Sequence, residues 1–222
     1  NVVVMRDTPE AIRMAEKLYQ QSQCPLLAMF VNRIDPDLLA AARAELVSGQ
    51  GATSYPLLFL PEMPGFSMPT MEEIIETLGA EHFNGPKADV VQRDVHAIKV
   101  AAMSPANYID FLEEDDLVVT PGDRPDIIFA TLGAIASRHY PSPAGMLLSG
   151  NFAPSASMVR LLDGIDHLAL PIYITDGDTY SVASRAASVK GTLRPHNQQK
   201  IARALGVFER HVDSPTLERL IV

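Results

Sequence analysis

The sequence predicts an α/β protein of two small three-layer units with mainly parallel sheets. Short apolar runs alternate with amphipathic helical stretches along the chain, which is the pattern of βα units packing helices on the faces of a parallel sheet. In the second half, three successive runs end in Gly and short polar residues. Leu117-Val118-Val119 leads into Gly122-Asp123-Arg124, Gly145–Leu148 into Ser149-Gly150-Asn151, and Leu170–Ile174 into Thr175-Asp176-Gly177-Asp178-Thr179. The carboxyl edge of an open parallel sheet is where such folds bind ligands.

Each element has a local reason. Val2–Met5 reads as a strand, and Thr8-Pro9-Glu10 opens a helix to about Gln21 with a capping residue, a first-turn Pro and an acid at the positive end. Leu26–Val31 is a second buried strand. Asn32-Arg33-Ile34-Asp35-Pro36 turns the chain into a helix over Asp37–Val47, and Tyr55–Leu60 is a third strand. Pro61, Pro64 and Pro69 punctuate the next loop, and Thr70-x-x-Glu73 is a capping box that starts another helix. Apolar periodicity lapses between Gly79 and Ala88, where Asn84-Gly85-Pro86 is a turn signal. That lapse sets the expected boundary, giving domains at 1–82 and 83–222. Apolar runs at Ala88–Val91 and His96–Met103 and a helix over Pro105–Leu112 precede the three strand–helix units. Helices over Pro195–Val207 and Pro215–Leu220 close the chain.

Composition narrows the function classes. A chain of 222 residues that is 47% hydrophobic and 20% charged buries a core. Its net charge of -9 argues against nucleic acid and anionic membranes as partners, since both call for a basic face. One cysteine, Cys24, allows neither an internal disulfide nor a multi-cysteine zinc site, and its place before an apolar run suits a packed thiol. No apolar run approaches the ~20 residues that span a bilayer, and no signal peptide is visible, so a cytoplasmic location is expected. The chain opens without Met inside a strand-like run and is expected to be a fragment of a longer protein.

No catalytic constellation emerges from the motifs. There is no Gly-x-x-x-x-Gly-Lys-Ser/Thr loop, so nothing cradles phosphates. Asn32 at a strand end reads as the cap of a turn. Ser149 lies in Leu-Ser-Gly rather than a nucleophile elbow, and no base accompanies it. His82, His96, His139, His167, His196 and His211 are dispersed. Asp123 reads as the cap of the helix entered through Pro125, and Asp176, Asp178 and Thr179 as caps of the helix over Thr179–Ala187. Two acids supply one side of a metal site at most, so no metal and no cofactor are expected. Arg124 is the anomaly, a cation at the positive end of a helix. It needs an acidic partner, such as Asp176 or Asp178, or an anionic ligand. Gly122, Asp123, Arg124, Ser149, Gly150, Asn151, Asp176, Asp178 and Thr179 are therefore the candidate ligand or interface residues.

Gly122-Asp123-Arg124 followed one βα unit later by Ser149-Gly150-Asn151 resembles the DRTGG domain, named for Asp-Arg and Thr-Gly-Gly at these places. The likeness covers about residues 85 to 197 and departs from the pattern in having Ser-Gly-Asn. Residues 1 to about 80 resemble the C-terminal half of a dethiobiotin-synthetase-like P-loop domain, through Phe30-Val31-Asn32-Arg33 and the run from Leu60 to Ile74. The two in this order are similar to the N-terminal region of long-form phosphate acetyltransferases, which interconvert acetyl-CoA plus phosphate with acetyl phosphate plus CoA. The resemblance implies a truncated P-loop-like βα unit followed by a DRTGG domain, with acyl transfer carried by a separate C-terminal domain. A non-catalytic regulatory or oligomerisation region is expected, with a homo-oligomer and a metabolite or nucleotide effector as partners. Two alternatives stand beside it: a fragment of an ATP-dependent dethiobiotin-synthetase-like ligase, and a stand-alone nucleotide-sensing DRTGG module.

Overall fold

The computed structural model describes residues 2–5, 9–22, 26–49, 55–87, 92–165, 170–212, 215 and 218. Cys24, His167, the run 88–91, Thr8 and most of the stretch 215–220 lie outside the described residues. The fold is α/β with parallel-dominated sheets, as expected, and it divides into two compact units, 1–64 with 193–222 and 65–192.

The first unit begins with β1 (Val2–Met5), α1 (Pro9–Gln21) and β2 (Ala28–Ile34). A 3₁₀ turn over Pro36–Leu38, capped by the Asp35 side chain on Asp37 N (3.0 Å), leads to α2 (Leu39–Gly49) and β3 (Leu57–Pro61). The strands pair parallel in the order β1-β2-β3. Ile12 and Ala15 of α1 pack with Met29, Val31, Ile34 and Phe59 on one face. Asn32 and Arg33 lie inside β2, where the pairing register shifts between Val31 and Ile34, and the Asn32 side chain accepts from Arg33 N (2.9 Å) rather than capping a turn. Arg33 there takes a left-handed φ of 65° and reaches Glu62 Oε1 at 2.8 Å.

A short helix, α3 (Pro64–Ser67), begins at the division and opens the second unit, which continues with α4 (Met71–Leu78), β4 (Glu81–Asn84), β5 (Ile98–Val100), α5 (Pro105–Ile109) and β6 (Leu117–Pro121). Then come α6 (Pro125–Ala136), β7 (Gly145–Ser149), α7 (Ala156–Asp163), β8 (Ile172–Ile174) and α8 (Thr179–Ser188). The strand order is β4-β8-β7-β6-β5, with β5 to β8 parallel and β4 antiparallel to β8. Each parallel step moves one strand in the same direction, so right-handed crossovers put α5, α6 and α7 on one face. Tyr108, Ile127, Ile128 and Leu162 of those helices meet Val118, Met146, Leu148 and Ile172. On the other face Ile74 and Leu78 of α4 and Val182 and Ala186 of α8 meet Leu117, Val119, Leu147 and Tyr173. Burial on both faces explains why these strands read as continuous apolar runs.

The stretch read as a boundary, 79–88, contains strand β4. It carries no apolar run because Glu81-His82-Phe83-Asn84 is an antiparallel edge strand, where the pattern is weakest. The compact units divide at 64/65 and 192/193, whereas the boundary read from the sequence was 82/83. Helix α9 (Gln198–His211) falls within the first unit. Its Phe208 stacks on Phe30 with ring centroids 5.9 Å apart, and Val212 joins Ala28 and Leu58.

Candidate functional site: the carboxyl edge of the five-stranded sheet

Strands β6, β7 and β8 end side by side, so the three polar segments chosen from the sequence meet at one edge. Their loops are bonded to one another. Gly122 N donates to Ser149 O (3.3 Å), Gly150 N to Gly177 O (2.8 Å) and Asn151 N to Thr175 O (3.1 Å). Ser149 is buried, and its Oγ lies 2.8 Å from Thr179 Oγ1. The chain leaves β7 for α7 on one face and β8 for α8 on the other, so a topological switch falls between these two strands. Such a switch opens a crevice when its loops part. Here two backbone hydrogen bonds and the Ser149–Thr179 pair lace the loops together.

Glycine is required at two positions. A Cβ on Gly122 would lie 1.6 Å from the carbonyl oxygen of Phe152, so only glycine lets the β7 loop cross so closely. Gly150 has φ 82°, and a Cβ there would lie 2.6 Å from the Phe152 ring. Asn151 follows with φ 53°, a left-handed conformation that Asn tolerates better than most residues. Ser-Gly-Asn therefore builds a turn for which two glycines would be the unstrained solution.

The helix caps differ from the sequence reading on one side of the edge, and on the other they match it at Asp178 but not at Asp176 or Thr179. The N-cap of α6 is Arg124, with no side-chain capping bond, and Asp123 is exposed one residue earlier. Arg124 does have an acidic partner, but it is neither Asp176 nor Asp178. Those acids follow β8, two strands or about 10 Å across the sheet. The guanidinium instead meets Asp126 in the first turn of α6, Nε to Oδ1 at 2.9 Å and Nη2 to Oδ2 at 2.8 Å, and donates to Met103 O at 3.2 Å. This local fork offsets the unfavourable position at the helix end. It also holds the Asp126 carboxyl below its ordinary range. At α8 the cap is Asp178, which accepts from Ser181 N (3.0 Å) and Ser181 Oγ (2.6 Å), contacts that lower its pKa. Thr179 is the first helical residue, and Asp176 is exposed outside the helix.

Two residues of this edge escaped the sequence reading. Phe152 is 55% exposed although its ring covers Gly150. Its position directly after the Ser-Gly-Asn turn is the only signal it gives. Thr120, just before the end of β6, is fully buried, and its Oγ1 has no hydrogen-bond partner among the described residues.

The amino edge of the same sheet is charged. Arg93 donates to Asp115 Oδ1 (3.0 Å) and to the carbonyls of Pro143 (3.2 Å) and Ser142 (3.3 Å), and is ion-paired with Asp115. Lys99 Nζ lies 3.0 Å from Glu113 and 3.7 Å from Asp116. Asp116 is fully buried and accepts from Glu113 N at 2.7 Å, and burial raises its pKa.

Among the described residues no helix is long and apolar enough to cross a membrane. The chain is similar to curated proteins named phosphate acetyltransferase. It is 30% identical to that of Synechocystis sp. over 95% of this chain and 30% of the relative. It is 37% identical to that of Nitratidesulfovibrio vulgaris over 73% of this chain and 23% of the relative, and 28% identical to that of Pseudomonas putida over 72% and 22%. The chain thus spans less than a third of the length of these proteins. The DRTGG domain family matches residues 73–189, which hold every strand and turn of the edge described above. The chain belongs to the DRTGG domain family.

Proposed function

We propose that this chain is a regulatory and assembly region at the N-terminal side of a phosphate acetyltransferase, and that it does not itself carry acyl transfer. The observation that carries this reading is the alignment of nearly the whole chain, 95%, with only 30% of a phosphate acetyltransferase. The chemistry of the edge supports it. Ser149 spends its hydroxyl on Thr179, another hydroxyl, which cannot act as the general base a nucleophilic serine needs. Arg124 is engaged by Asp126, and the loops at the β7–β8 switch are bonded together. These features suit a surface that is contacted and shifted in population by a partner or effector rather than one that turns over substrate.

Two measurements test the reading. The purified chain, given acetyl-CoA and phosphate, is expected to form no acetyl phosphate above the blank. A rate that persists through repurification overturns the non-catalytic assignment. Sedimentation over a concentration series is expected to show self-association, with calorimetric titration of adenine nucleotides and NADH as the second arm. A monomer at every concentration that is also heat-silent with each compound defeats the regulatory and assembly role.

A further inference from the structure

The carboxyl edge and the points where the chain joins the second unit lie at opposite ends of one antiparallel helix pair. At the carboxyl edge, Thr175 Oγ1 donates to Leu78 O at the end of α4 (3.4 Å), and Thr179 at the start of α8 bonds Ser149. From farther along α8, Arg185 Nη2 donates to Thr77 O, one residue before the end of α4 (3.0 Å). At the far end the inbound and outbound segments are clasped. Gly191 N donates to Ser67 O (3.0 Å), and Glu73 Oε1 accepts from Thr192 N (2.8 Å) and, closer still, from Thr192 Oγ1. The other oxygen, Oε2, accepts from Thr70 N (2.9 Å), completing the capping box of α4. Glu73 is a buried carboxylate, 3% exposed, and one side chain therefore fixes both the start of α4 and the segment leaving α8. The clasp belongs to the amino side of the sheet, since Pro69 O accepts from Val95 N (2.7 Å) just ahead of β5.

We propose that α4 and α8 act as a strut that ties the state of the carboxyl edge to this clasp, with Glu73 as the latch. The proposal rests on the reading of that edge as regulatory and names the device that would carry its signal. α8 has ten residues and so spans about 15 Å as a stiff rod. Its first residue is held by Ser149, and the segment after its last residue is held by Glu73. Val182, Ala183 and Ala186 pack it against Ile74 and Leu78, so it shifts with α4 as one body. Anything that displaces Thr179 from Ser149 pulls on Thr192. A buried carboxylate left without its donors is costly, which makes the clasp sensitive to small movements.

Hydrogen exchange of the Gly191 and Thr192 amides in the intact 222-residue chain tests this, with the Leu147 amide of β7 as the monitor of global opening. Glu73→Gln is expected to accelerate both amides about tenfold relative to Leu147, the factor that matches loss of one charged hydrogen bond. Thr192→Val, which removes only the hydroxyl, is the milder variant should Glu73→Gln fail to fold. The deciding variant is remote. Thr179→Val cuts the Ser149 bond at the other end of α8 and is expected to accelerate Gly191 and Thr192 several-fold with Leu147 unchanged. Arg124→Ala, at the same edge but leading into α6, is expected to leave both amides unchanged. If Thr179→Val leaves them unchanged, or Arg124→Ala accelerates them equally, the strut is refuted. The sedimentation and titration outcomes for the regulatory reading stand apart from either result.

Discussion

The two ends of the five-stranded sheet solve the same problem with different chemistry. At the amino edge, backbone bonds between the loops, His96 N to Asp115 O (3.0 Å) and Asp115 N to Ser142 O (3.1 Å), are joined by long charged side chains: Arg93 spans Asp115, Ser142 and Pro143, and Lys99 bridges Glu113 and Asp116. At the carboxyl edge the loops hold each other directly, backbone to backbone, and glycine lets them approach. A charged tie tolerates a displaced loop because its side chain can follow, whereas a backbone contact has no slack. The amino edge therefore adds charged ties to its backbone contacts, whereas the carboxyl edge relies on glycine to let its loops approach.

The largest test of this contrast is Gly122→Ala. Its new Cβ meets a carbonyl oxygen, not a movable side-chain tip, and about 3 kcal/mol of stability should be lost, or folding of the second unit with it. A urea midpoint within error of the parent would show that the β7 loop moves freely. Arg93→Ala should cost less, about 2 kcal/mol, since a half-buried cation and several charge-assisted bonds are removed while the loops keep some freedom. A loss exceeding that of Gly122→Ala would reverse the contrast between the edges.

Next in size is a pair of opposite pH responses. The folded pKa of Asp116 is raised, so its protonated form is favoured by folding, and the parent should gain stability over Asp116→Asn as pH falls through the carboxylate range. The folded pKa of Asp178 is lowered, so its contribution is present above the ordinary carboxylate pKa and fades as pH falls through the folded value. The advantage of the parent over Asp178→Asn should thus shrink on acidification. Denaturant midpoints across that range would break the comparison if both differences moved in the same direction. The smallest effect belongs to Arg124→Ala. Its fork with Asp126 is partly solvent-exposed and local to one helix turn, and such pairs contribute about 0.5 kcal/mol. A loss several times larger would mean that Arg124 has a second role at this edge.

Much of the architecture could be read locally. Apolar runs announced the central strands because parallel strands are buried on both faces, and Thr70-x-x-Glu73 and Asp178 announced two helix starts because capping needs only neighbouring residues. The three strand ends that carry the nine candidate residues lie side by side because β6, β7 and β8 pair in sequence order. Strand β4 was not legible locally, because Glu81–Asn84 is held by pairing with β8 rather than by its own pattern. The partner of Arg124 was sought across the sheet and lies two residues away, within reach of a flexible guanidinium but invisible to a rule about helix dipoles alone.

The sequence by itself determined the α/β class, the polar strand ends and the acidic net charge, since periodicity, turn chemistry and charge are local or additive properties. Tertiary structure alone decided that the edge is laced shut, that Gly122 answers to Phe152, and that Glu73 reaches past its own helix to Thr192. It also decided that α9 and its C-cap pack with strands roughly 150 to 180 residues earlier, Phe208 on Phe30 and Val212 beside Leu58. Those contacts join residues far apart in the chain, and no local propensity encodes which distant surface a buried side chain will meet.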